Sequence, residues 1–206
     1  MAAAPADDQR TVAASAAPSP FSWLAQLVNG KRIDNNSRRE GFEDNRTPFG
    51  KILRGELPAH ILHEDHDVLC FRDIAPVQEF HALVIPKRRI EHCGCVGHSD
   101  VPLLRHMEAV ALQALQAEYP ALDVSAARAA NVVSLGYHKP PFITVHHLHL
   151  HCIYPMPAPW YFPLARLLSF PQQYGRFYHG SDSVIEEARA AAAVTAQHVH
   201  SDGEGH

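Results

Sequence analysis

No apolar run in this chain of 206 residues is long enough to cross a bilayer; segments such as Phe80 to Ile85 are short and soon meet Pro86, Lys87 and Arg88. A membrane-spanning protein is therefore not expected. Charge of one sign is also lacking: the formal net charge is −4 and the pI about 6.4. That balance gives no electrostatic reason to expect nucleic acid or an anionic membrane as a partner, and it fits a soluble protein acting on small molecules. Cysteine is sparse and scattered, at Cys70, Cys93, Cys95 and Cys152, with no secretory signal. Reduced thiols in an intracellular compartment, cytoplasmic or nuclear, are expected, without disulfides. Cys93 and Cys95 with His92 and His98 match zinc spacing poorly and lack a second cysteine pair, so no metal or other cofactor is expected. The N-terminus is rich in Ala, Ser and Pro but has Asp7 and Asp8 early and little arginine, which leaves organelle targeting open.

Composition divides the chain into three parts. Residues 1–46 read as a flexible tail with a candidate short helix over 21–28, because small residues and prolines cannot bury enough surface to offset the entropy of ordering. Residues 47–155 carry dense apolar patterning and read as one domain. Phe49, Ile52 and Leu53 suit one face of a short helix ending at Gly55, and Ile61 to Glu64 and Val68 to Arg72 read as a hairpin. His81 to Ile85 is a further strand. Ser99 or Asp100 caps a helix running to about Tyr119, with Leu103, Met107, Val110 and Ala114 on one face. Asn131 to Leu135 and Val145 to Tyr154 complete an antiparallel sheet of about five strands, with a loop containing Gly136, Pro140 and Pro141 between them. The class is α+β. Residues 156–206 read as a Pro-rich, then Ala-rich extension, with regular structure over Leu164 to Phe170, a helix over Asp182 to Thr195 and a disordered end.

The chemistry concentrates in Val145-His146-His147-Leu148-His149-Leu150-His151-Cys152-Ile153. On a strand, His147, His149 and His151 point one way and the leucines the other. Side chains two apart lie roughly 6.5 to 7 Å from one another, a span that surrounds a phosphorus with its attacking and leaving atoms. A neutral imidazole is a nucleophile near pH 7, and its neighbours can stabilise phosphoryl charge. A metal-binding His-x-His strand remains the competing reading.

The run His147 to Ile153 resembles the His-φ-His-φ-His-φ-φ motif of the histidine-triad superfamily, φ being apolar. Pro48 to Leu53, Gly55 to Pro58, Cys70 to Pro76 and His81 to Lys87 are similar in order and spacing to its Hint branch. Gly136-Tyr137-His138-Lys139-Pro140-Pro141-Phe142 looks most like the type-3 Hint proteins. The resemblance implies a HIT-like fold, a purine nucleotide pocket for an AMP-containing substrate, no cofactor and a homodimer built around an extended sheet. It further implies a nucleotidyl intermediate on His149, flanked by His151 at the phosphate and His147 in an orienting role, helped by His81. By position, Asp73 meets the ribose, Phe49, Phe71 and Ile74 form apolar walls, and Thr144 donates to the leaving group. Gly136 stands where type-1 proteins have a phosphate-holding Asn, and Phe142 where they have a Gly, which changes the contacts made by Ile143 and its neighbours; His138 and Lys139 are candidates to compensate.

The expectation is a hydrolase that cleaves the P–N bond of adenosine 5'-phosphoramidates, or acyl adenylates, and releases AMP. Dinucleoside polyphosphate hydrolysis is the alternative within enzymes. A nucleotide-binding adaptor with little turnover is the alternative outside them.

Overall fold

The computed structural model describes residues 44–141, 143–156 and 178–201. The expected tail and its helix over 21–28, the regular segment over 164–170 and Phe142 lie outside the described residues.

Thr47 opens helix α1 (Pro48–Leu53): its Oγ1 accepts from the Gly50 amide, and Pro48 occupies the first turn, where its missing N–H costs nothing. Strands β1 (Ile61–Glu64) and β2 (Val68–Arg72) form the expected hairpin. Asp65 makes its turn by accepting from the amides of Asp67 and Val68. β3 (Phe80–Pro86) pairs antiparallel with β2 along its whole length. The chain then crosses one face through α2 (Val101–Glu118) and a short helix α3 (Val124–Ala129) that the sequence reading did not anticipate. It returns as β4 (Ser134–His138) and β5 (Leu150–Tyr154).

All pairings are antiparallel, and the sheet has six strands in the order β1-β2-β3-β5-β4-β6. The sixth, β6 (Tyr178–Gly180), comes from the C-terminal extension and covers β4. It is followed by α4 (Ser181–Ser201), longer at both ends than expected. The edges of the sheet are thus β1 and β6. Among the described residues, no helix is long and apolar enough to cross a membrane.

Two expectations are corrected. β4 begins at Ser134 and contains Gly136, because α3, capped by Asp123, uses the residues just before it. The ladder of β5 begins only at Leu150: upstream, the His147 amide turns back onto the Val145 carbonyl and the Leu148 amide bonds Ile90 in a loop. The two-sided pattern survives all the same. Leu148, Leu150 and Cys152 enter the main core with Val68, Cys70, Phe80, Ala82 and Val84 under α2, while Leu69, Phe71, Leu83 and Ile85 face α1 on the other side. On α2, Leu104 is fully buried and Leu103 only packs beside the core.

The C-terminal segment belongs to that same core through Val184, Ile185 and Ala188, while Tyr178 is buried on the other face of the sheet, against His138 and His151. A buried carboxylate ties it down. Glu108 on α2, 3% exposed, accepts from Ser181 Oγ (2.5 Å) and Arg128 Nη2 (2.9 Å) on one oxygen and from Arg105 Nη1 (2.9 Å) on the other. Both arginines also reach Asp182. Glu108→Ala is expected to lower the unfolding free energy by about 2 kcal/mol, less than for a fully buried pair, since the arginines left behind reach solvent. Ser181→Ala is expected to cost about 1 kcal/mol. Urea denaturation measures both; losses of only a few tenths would mean that the network does not hold α4.

Candidate active site

The site forms on the α1 side of the sheet, where β3, β5 and β4 lie side by side and the irregular stretch 143–149 enters β5. His147 is the most enclosed of its residues, with no exposed surface. The Pro86 carbonyl, 2.8 Å from its Nε2, can only accept, so Nε2 carries the proton. Nδ1 then takes the hydrogen of the Asn45 side-chain amide at 2.6 Å. Asn45 is itself oriented by Thr47, whose amide and hydroxyl both donate to its Oδ1. Gly50 leaves room for this contact, since a Cβ there would lie 2.0 Å from the Asn45 carbonyl oxygen.

The same reasoning applies to His149. Its Nδ1 is 2.7 Å from the carbonyl oxygen of His147, so Nδ1–H donates and the lone pair resides on Nε2. The Phe49 ring meets the imidazole edge to face, with centroids 5.1 Å apart, and Phe71 stands behind it at 5.7 Å from Phe49. Burial pulls the His149 pKa down to about 4, with the His147 carbonyl opposing that shift and His138 adding to it. His149 is therefore a neutral base near pH 7.

His151 sits inside a chain of imidazoles. Its Nδ1 is 2.9 Å from His81 Nε2 and its Nε2 is 2.9 Å from His138 Nδ1. The Val77 amide donates into His81 Nδ1, which puts the His81 proton on Nε2 and directs it to His151. His151 in turn holds its proton on Nε2 and donates to His138. Burial lowers the pKa of His81 to about 4 against the raising effect of Asp73, and it drives His151 well below the ordinary value. Asp73 Oδ2 lies 3.4 Å from His81 Nε2, while Oδ1 accepts from the Ala75 amide.

The structure thus brings together His147, His149, His151, His81, Asp73, Phe49 and Phe71. It places Ile74 at the rim, 80% exposed, with Thr144 exposed and Ile143 half-buried in the entering loop. Ile143, Val145, His138, His147 and His149 line a recess whose enclosed part, about 10 Å³, holds a single water-sized group. Gly136 faces β6, where an added Cβ would be 2.2 Å from Tyr178 Cε1.

Among the described residues, two groups have the spacing of metal ligands: His138 with His149 and His151, and Asp73 with His81 and His151. Both need His151, whose two nitrogens are already engaged in hydrogen bonds, so an ion would have to displace at least one of them. Sequence reasoning missed Asn45, which it placed in a polar linker, along with the Pro86 carbonyl and Tyr178. It placed His138 in the loop before the motif, as a candidate to compensate at the phosphate, whereas the residue ends β4 at the centre of the cluster. Asn45 gives no sequence signal of its own, because its partner lies 102 residues away.

A family model described as "Scavenger mRNA decapping enzyme C-term binding", a histidine-triad domain, matches residues 46–160. The bifunctional adenosine 5'-phosphosulfate phosphorylase/adenylylsulfatase HINT4 of Arabidopsis thaliana is 38% identical over 106 residues, covering 50% of this chain and 66% of the relative. This match spans just under two thirds of that relative's length. The adenosine 5'-monophosphoramidase HINT3 of Xenopus tropicalis is 32% identical over 136 residues, covering 66% of this chain and 82% of the relative. Among solved structures, a HIT family hydrolase from Legionella pneumophila Philadelphia 1 aligns with a TM-score of 0.45 at 32% identity, over 55% of this chain and 96% of that one. On the family match and the relative of which it covers 82%, the chain belongs to the histidine-triad superfamily.

Proposed function

We propose that this chain is a nucleotide hydrolase that cleaves adenosine 5'-phosphoramidates, or acyl adenylates, through a covalent nucleotidyl group on His149. The observation that carries the reading is the proton on His149 Nδ1, held by the His147 carbonyl, which leaves Nε2 as a neutral nucleophile beside a small recess lined by His138 and His147. The relatives named as acting on adenosine 5'-phosphoryl compounds with different leaving groups support the adenylyl half of the substrate.

In this reading the Nε2 lone pair forms a bond to the α-phosphorus as the P–N bond breaks, and the departing amine takes the bonding pair and a proton. Water then attacks the adduct, the bond to His149 breaks, and AMP leaves. The His151 ring packs against the phosphoryl group while its Nε2–H stays on His138, Thr144 donates to the leaving group from the rim, and Asp73 accepts from the ribose hydroxyls. Phe49, Phe71 and Ile74 flank base and sugar. Gly136 and Ile143 shape the phosphate end.

His149→Ala is expected to abolish the AMP–protein adduct and slow AMP release by about three orders of magnitude, while AMP still binds. Single-turnover hydrolysis of an adenosine 5'-phosphoramidate, with mass spectrometry of the protein, tests this. Wild-type protein that binds AMP yet forms no adduct would sink the reading.

The low pKa of His149 has a second consequence. With a nitrophenyl ester of AMP, whose leaving group needs no proton, adduct formation is expected to stay level from about pH 8 to about pH 5.5 and to fall only as pH nears about 4. A half-maximal rate near pH 6.5 would contradict it. The same shifts cost stability in acid. The unfolded chain takes up protons at the ordinary histidine value of 6.5, whereas folded His81 and His149 resist until about 4, so unfolding becomes easier as pH falls through that window. The rates must accordingly be counted per folded molecule.

A further inference from the structure

The C-terminal strand reaches into the histidine cluster. β6 pairs with β4 so that Gly136 faces Gly180, Tyr137 faces His179 and His138 faces Tyr178. The Tyr178 ring is buried, perpendicular to His138 with centroids 5.2 Å apart, and 6.1 Å from His151. Its hydroxyl lies 3.4 Å from Ser134 Oγ. This approach requires glycine at 136, since a Cβ there would meet Tyr178 Cε1 at 2.2 Å and the His179 carbonyl oxygen at 2.5 Å. The extension also grips β4 at its end, because Glu187 of α4 lies 3.6 Å from Lys139 Nζ and 3.2 Å from His179 Nδ1.

His138 is only half-buried, and the torsion that turns an imidazole about its Cβ–Cγ bond is intrinsically broad. Among the described residues, two rings stand nearly perpendicular to His138 and limit that rotation: His151 at 4.5 Å and 87°, and Tyr178 at 88°. His138 Nδ1 is the atom that receives the His151 proton. If His138 turned, His151 Nε2–H would lose its acceptor and the tautomer of the whole chain from His81 would no longer be set.

We propose that Tyr178 is a positioning residue for the reaction: its ring, delivered by the C-terminal strand, holds His138 where Nδ1 accepts from His151, so the extension completes the site. The proposal rests on the reading of His149 as the nucleophile. It makes the aromatic ring, and not the hydroxyl, the operative part, and it assigns to the segment after residue 177 a share in the chemistry beyond stability.

Two variants of the full chain separate the ring from the fold. Tyr178→Leu keeps apolar volume without a flat wall, and Tyr178→Phe keeps the wall without the hydroxyl. In single turnover, counted per adduct-forming site, Tyr178→Leu is expected to slow adduct formation by about 10- to 100-fold, while the Kd for AMP stays within about three-fold. Tyr178→Phe is expected to react within about three-fold of wild type. Imidazole ¹⁵N spectra without substrate are expected to give one tautomer for His151 in wild type and Tyr178→Phe, and a mixture in Tyr178→Leu. A Leu variant that reacts at the wild-type rate per site, or a Phe variant as slow as the Leu variant, would overturn the proposal. If wild type forms no adduct, the hydrolase reading falls by itself, and the spectra alone decide: an unchanged His151 tautomer in Tyr178→Leu then overturns the positioning role.

Discussion

The hydrogen bond from His149 Nδ1–H to the carbonyl of His147, 2.7 Å long, decides which nitrogen of His149 keeps a lone pair, and the rest of the site serves to keep that bond in place. A carbonyl two residues away is a useful acceptor only if its own peptide is immobile. Here the peptide belongs to His147, whose ring is clamped between the Pro86 carbonyl at the end of β3 and the Asn45 amide ahead of α1. Each end of that clamp has a separate anchor: Pro86 is held in the ladder opposite Val68, and Asn45 accepts twice from Thr47. His147 acts therefore through its main chain as much as its side chain. This is a reason for a histidine there that the motif alone does not supply, since a neutral imidazole can donate at Nε2 and accept at Nδ1 at once.

Burial supplies the other half of the design. An exposed imidazole would be partly protonated near pH 7, and a protonated His149 has no lone pair to give. The main cause of the low pKa values at His149, His151 and His81 is desolvation, so the packing of Phe49, Phe71 and Tyr178 around polar rings is an electrostatic device as well as a structural one. Four imidazoles in van der Waals reach of one another are tolerable only because they are neutral and because each N–H finds an acceptor. The run from Val77 through His81 and His151 to His138 satisfies that condition with hydrogen bonds that all point the same way. The cost is a fold whose stability declines in acid.

Much of this was legible in the sequence, and the parts that were not share one physical cause. Hairpin, central strand, main helix and the division of Leu148 and Leu150 from the histidines follow from local periodicity and turn chemistry, which depend on residues a few positions apart. Gly136 misled the reading because glycine next to a Pro-rich stretch signals a loop, whereas here its missing Cβ admits Tyr178 from a strand more than forty residues later. Asn45 misled it for the same reason in the other direction: an Asn in a polar stretch looks like solvent-facing linker until the ring it supports is brought to it by the sheet. Alternation along Val145 to Tyr154 gave the correct faces with the wrong backbone. The ladder there ends at Leu150 because the amides of His147 and Leu148 are used elsewhere.

The position of β6 carries the last step. A strand at a sheet edge leaves one row of amides and carbonyls unpaired, and β4 would be such an edge had the chain stopped after β5. The extension removes that edge and in the same act brings Tyr178 beside His138 and His151. Ser181 and the buried Glu108 then lock the start of α4 against α2, so the segment that shapes the site is tied to the main core and not to the loop that enters it. Stability and site geometry are thereby coupled through one short strand. A substitution in the extension that loosens α4 changes the surroundings of His138 even though it touches neither His149 nor the recess beside it.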